Sequence, residues 1–124
     1  VDAISGAFML VRRSALAQVG PLDEAYFLHC EDLDWFVRFA QAGWAIYFVP
    51  DAEVVHHKGT CSVGHELSVA WNKHRGMSRF FRKFQARDYA WPFRLLIYSG
   101  IWLHFGLWLA LQPLRWVWEK ARRR

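Results

Sequence analysis

The chain has 124 residues, 54% of them hydrophobic and 18% aromatic, and a net charge of +5. That length holds one domain with a core and hardly two. Cys30 and Cys61 lack zinc-type spacing and read as free thiols in a reducing compartment, which sets aside a metal-finger or disulfide scaffold.

The charge is uneven: residues 1–66 carry nine acids against four Lys/Arg, residues 67–124 two acids against twelve. A basic half points to an anionic surface. Six of the eight Trp follow residue 70, which favours a membrane interface over a nucleic-acid groove. The chain opens on Val1-Asp2, inside a pattern that already reads as strand, without an initiator Met or a signal segment. It is expected to be a piece of a longer protein.

In chain order, Ala7 to Val11 is an apolar run predicted as a buried strand. Ser14 is the expected cap of a short helix ending at Val19, with Gly20 as its stop. Pro21 to Glu24 is a turn. Glu31 to Ala42 reads as a helix of about three turns with one apolar face, closed by Gly43. Asp34 and Arg38 stand i, i+4 on it and can pair. Trp44 to Val49 and Glu53 to His56 read as two strands, and His57 to Ser62 as a polar loop.

From Leu67 to Asp88 a basic, aromatic helix is expected, broken by Trp91-Pro92. Leu95 to Leu111 then runs without a formal charge for about 26 Å of helix, slightly short of a ~30 Å hydrocarbon core. Arg94 and Arg115 flank it, so charge gives no orientation, and an interfacial hairpin competes with a clean span. The expected layout is thus a catalytic part over 1–66, a basic aromatic helix over 67–90, and an apolar membrane-associating helix over 91–124 ending in Arg122-Arg123-Arg124. No internal repeat interrupts it.

The densest signal is acidic. Asp23, Glu24, Glu31, Asp32 and Asp34 fall within twelve residues. The plain reading is a solvated helix start that favours the macrodipole. A D-x-D cation site at Asp32 and Asp34 fails on geometry, since i and i+2 lie about 200° apart on a helix. The third reading makes Asp32 a general base with Glu31 beside it.

Several motifs occur in order: Gly6-x-x-Met9-Leu10, Arg12-Arg13, Val19-Gly20-x-Leu22-Asp23-Glu24-x-Tyr26-Phe27, Glu31-Asp32-x-Asp34-x-x-x-Arg38-x-x-x-x-Gly43-Trp44, Pro50-x-Ala52-x-Val54-x-His56 and Gly59…Ser62. Over residues 1–88 this order resembles the C-terminal, acceptor-side half of family-2 inverting glycosyltransferases, nearest the rhamnosyltransferase-like branch.

The resemblance implies an α/β fold, the C-terminal half of a GT-A domain, followed by the basic and apolar helices. It implies transfer of a sugar from a nucleotide-sugar donor to a saccharide or lipid-linked acceptor, with inversion, for cell-envelope polysaccharide. Asp32 would match the base that deprotonates the acceptor. His56 would match a ligand of the divalent metal, Mg²⁺ or Mn²⁺, with His57 as the alternative. Gly6 would let substrate approach the backbone, Glu31 would flank the acceptor, and Trp35 or Trp44 would stack on a sugar face. Leu22 stands where the family usually has Phe. The nucleoside-binding half with its own D-x-D is not in the chain, so this piece is expected to be inactive alone.

The implied setting is the cytoplasmic face of a bacterial inner membrane, peripheral or single-span, with no nucleic acid expected. The rival reading is a non-catalytic membrane- or nucleic-acid-binding module in which the acids only start a helix. A metal hydrolase built on Asp32, Asp34 and His56 meets the same helical objection as the D-x-D site.

Overall fold

The computed structural model describes residues 1–57 and 64–122. Gly59…Ser62 of the motif series, Cys61 and the terminal Arg123-Arg124 lie outside the described residues. The chain divides into two units, Val1–His65 and Glu66–Arg124.

In the first unit α1 spans Arg13–Val19 and α2 spans Glu31–Gln41. Helix α1 starts one residue ahead of the expected cap: Arg12 is its N-cap, and the Arg12 carbonyl accepts from Leu16 N–H at 3.0 Å. Ser14 therefore lies inside the helix and caps nothing. The stop is as expected. Gly20, at φ 82°, gives its N–H to the Leu16 carbonyl, in a conformation glycine takes without a Cβ penalty. Helix α2 carries Glu31, Asp32 and Asp34 in its first turn and Arg38 in its last, both favourable to the macrodipole.

The core of this unit is Ala15 of α1 against Trp35 and Phe39 of α2. The two rings lie 5.0 Å apart and tilted by 50°. Met9, Val11, Val19 and Trp44 pack around them.

The expected strands are a correction. Among the described residues none is in a strand, so an α/β sheet is not formed here. A strand exists only through ladder bonds to a neighbour. The runs at 7–11, 44–49 and 53–56 instead border an apolar groove of about 1130 Å³, floored by Ala15, Trp35, Phe36 and Phe39. Only Met9, Val11 and Trp44 of these runs pack on the core, while Leu10, Tyr47, Phe48 and Val55 stay exposed, so the burial expected of the 7–11 run is not reached either.

In the second unit α3 spans Glu66–Phe80 and passes through a π-helical turn, Phe81–Gln85, into a 3-10 turn at Ala86–Asp88. Helix α4 spans Trp91–Arg122, with Pro92 in the first turn, where its missing N–H costs nothing. Helices α3 and α4 pack through rings: Trp71 lies 5.1 Å from Trp102 and 5.7 Å from Phe105, and Phe81 lies 5.3 Å from Tyr98. His74 is buried among them at 2% exposure. Its Nδ1 donates to the Ala70 carbonyl at 2.6 Å, and its Nε2 meets His104 Nδ1 at 2.9 Å. The opposite side of α4 carries Leu96, Leu103 and Leu107, each more than half exposed.

Candidate active site

The approach to α2 is unusual. His29 and Cys30 both hold left-handed backbone, at φ 66° and 69°. For residues with a Cβ this conformation costs on the order of 1 kcal/mol each and is tolerated where surrounding contacts impose it. Here it ends the acidic turn and delivers the chain into α2, where the Cys30 carbonyl accepts from Asp34 N–H at 2.9 Å.

The five clustered acids then separate by surroundings. Asp23 Oδ1 accepts from Ala25 N–H at 3.0 Å, which closes the turn. Asp34 is fully buried and takes Arg38 Nε at 2.7 Å. Arg38 also gives Nη1 to the Val19 carbonyl at 2.9 Å and Nη2 to the Pro21 carbonyl at 2.7 Å. Between them the Gly20 carbonyl accepts from Trp35 Nε1 at 2.9 Å. Three carbonyls in a row, Val19 to Pro21, are thus fixed by two side chains of α2. Arginine suits this task because its planar fork offers several donors at once.

Asp32 is held differently. Its Oδ1 accepts from Leu33 N–H at 2.8 Å and its Oδ2 from Gly6 N–H at 3.1 Å. No cation takes up its charge in these contacts, and the residue is only half-buried. A Cβ on Gly6 would stand 2.7 Å from Asp32 Oδ2, so the close approach made at Gly6 is that of the Asp32 carboxylate. Beside it, Glu31 Oε2 is buried without a hydrogen-bond partner. Asp32 and Asp34 share one helix and different environments, consistent with the objection to a D-x-D site.

The other expected site residues lie apart from this pair. Trp35 is 8% exposed, packs in the core against Phe39 and gives its N–H to Gly20, so the stacking role expected of it gives way to a place in the core at the floor of the groove. Trp44 is half-buried and donates Nε1 to Gln18 Oε1 at 2.9 Å. His56 lies on the wall of the apolar groove and, like His57, is exposed.

Among the described residues no three His, Cys, Asp or Glu side chains are grouped to hold a metal. Both Asp32 oxygens already accept backbone N–H bonds, and Asp34 is committed to Arg38. A hard divalent ion needs several oxygen ligands. The described residues do not by themselves fit such a site.

Two features escape sequence reasoning. The Arg38 bonds to Val19 and Pro21 span 19 and 17 residues, and the Gly6–Asp32 bond spans 26. Only the spacing of Asp34 and Arg38 was a readable signal.

The strained start of α2, the buried Asp34–Arg38 brace and the separately held Asp32 carboxylate all lie within a stretch that a protein family shares. The family described as "Glycosyltransferase like family 2" matches residues 1–77, and the chain belongs to that family. It is similar to N-acetylglucosaminyl-diphospho-decaprenol L-rhamnosyltransferase of Mycobacterium tuberculosis, 54% identical over 58 residues, which are 47% of this chain and 19% of that protein. It is also similar to rhamnosyltransferase WbbL of Escherichia coli K12, 40% identical over 57 residues, 46% of this chain and 22% of that protein. The chain thus spans about a fifth of the length of these relatives. No solved structure matches it.

Proposed function

We propose that this chain is the acceptor-side part of an inverting glycosyltransferase of GT-A fold, acting within a longer polypeptide that also binds the nucleotide-sugar donor. The observation that carries the reading is the position of Asp32: it is half-accessible, is not paired with Arg38, and alone among the three α2 acids has each carboxylate oxygen held by a backbone amide. Each of its oxygens uses one lone pair on an amide and keeps another for a proton.

Asp32 takes the proton from the acceptor hydroxyl as the acceptor oxygen bonds to the anomeric carbon. The bond from that carbon to the diphosphate oxygen breaks on the opposite face, and the nucleoside diphosphate leaves with the electron pair. One in-line displacement inverts the anomeric configuration. Glu31 and Trp44 flank the acceptor. His56, or His57 in its place, would be offered toward a Mg²⁺ or Mn²⁺ ion, whose chemistry would be to offset the charge of the leaving diphosphate.

The relatives' names, a diphospho-decaprenol-linked acceptor among them, support a lipid-linked saccharide acceptor and a role in cell-envelope polysaccharide. The second unit supports a membrane setting, which we propose is the cytoplasmic face of the inner membrane. Trp91–Pro113 is long and apolar enough to cross a bilayer, none of its apolar window is buried, and α3 beside it is basic. Transfer by the full-length protein carrying Asp32→Asn tests the base assignment; turnover at the wild-type rate would remove it.

A further inference from the structure

We infer that Gly6 is a positioning residue for Asp32: its amide aims the carboxylate, and its missing side chain is the space that carboxylate occupies. The inference rests on the assignment of Asp32 as the base. It departs from the expectation that Gly6 admits substrate.

Two observations of different kinds support it. The first is a bond: Gly6 N–H donates to Asp32 Oδ2 at 3.1 Å, across 26 residues. The second is space: a Cβ at Gly6 would lie 2.7 Å from Oδ2, 3.0 Å from the Asp32 Cβ and 3.2 Å from its Cγ. The crowding runs along the whole Asp32 side chain, so turning the carboxylate alone does not relieve it. Asp32 cannot retreat through its backbone either, because it sits in the first turn of α2. That helix is pinned by Arg38 and Trp35 to the carbonyls of residues 19–21. What can give is the irregular segment around Gly6 together with the Asp32 side-chain torsion, and either movement breaks the Gly6 N–H bond that decides where the base points.

Gly6 needs no left-handed backbone for this, since its φ is not among the positive ones. Its value is the absent Cβ. The remaining Asp32 contact, Leu33 N–H to Oδ1, is local and leaves the side chain free to swing about it. Removing the Gly6 contact therefore costs orientation and not charge. A misplaced catalytic group loses rate on the order of a hundredfold per ångström.

The test uses the full-length transferase and four variants: Gly6→Ala, Asp32→Asn, the pair together, and an amide-to-ester replacement at the Gly6 nitrogen. The inference predicts that Gly6→Ala lowers kcat on the order of a hundredfold while KM for donor and acceptor stays within about twofold. In the Asp32→Asn background the same change costs nothing further. The ester, which deletes the donor and adds no atom, lowers kcat about tenfold and decides the matter if Gly6→Ala fails to fold. Wild-type kcat in Gly6→Ala or in the ester overturns the inference. So does a loss expressed in KM, or an undiminished loss in the Asp32→Asn background, because either makes Gly6 a substrate contact or a plain structural glycine. If Asp32→Asn alone transfers sugar normally, the base assignment fails first and takes the inference with it.

Discussion

Arg38 Nε lies 2.7 Å from Asp34 Oδ1, and the carboxylate it meets is wholly shut off from solvent. The pair is the hinge pin of the first unit. Through it α2 is tied to the turn after α1, and through α2 the direction of Asp32 is set. Without the arginine, Asp34 is a buried charge with its cation removed, a situation that costs about 3–5 kcal/mol.

Arg38→Ala should accordingly destabilise the first unit by about 3 kcal/mol, read from the midpoint of urea unfolding. Arg38→Lys should recover only part of this, since one ammonium cannot serve Asp34, Val19 and Pro21 together. Equal midpoints for wild type and Arg38→Ala would show that the brace contributes nothing.

Trp35 separates stability from substrate binding. Trp35→Phe keeps a ring against Phe39 and loses the N–H to Gly20, and should cost about 1 kcal/mol of stability. KM for the acceptor should not move. A rise in KM with unchanged stability would return Trp35 to the sugar site.

His74 and His104 join α3 to α4 nearly end to end, since their ring centres are 5.2 Å apart and their nitrogens 2.9 Å. A double-mutant cycle with His74→Phe and His104→Phe should give a coupling of about 1 kcal/mol in thermal unfolding. Strict additivity would make the contact incidental.

Helix α4 presents Leu103 and Leu107 away from α3. Replacing both by Lys should release the full-length protein from membranes while leaving the ring packing with α3 intact, because charges at such depth cost about 2.5–3.5 kcal/mol apiece. Unchanged pelleting with membranes would count against the apolar face as the anchor.

The helices were legible because their signals are local. Acids in a first turn, Gly20 and Gly43 as stops, and the i, i+4 spacing of Asp34 and Arg38 are written within a dozen residues. The strands were misread for the opposite reason. Apolar runs such as Ala7–Val11 and Trp44–Val49 announce burial, but a ladder depends on a partner that alternation does not specify. The site was half legible. Asp32 could be singled out by its place beside Glu31, whereas its tie to Gly6 joins a loop to a helix and leaves no periodic trace. Trp35 was assigned to a sugar because exposure cannot be read from residue type; its indole N–H was needed by Gly20.

In the proposed function Asp32 carries the proton of the acceptor. Sugar transfer and donor binding measured side by side on full-length Asp32→Asn test it most directly. Transfer should fall by about 10²–10⁴-fold with donor affinity unchanged. Transfer at the wild-type rate, or a loss explained wholly by failure to bind donor, would contradict it.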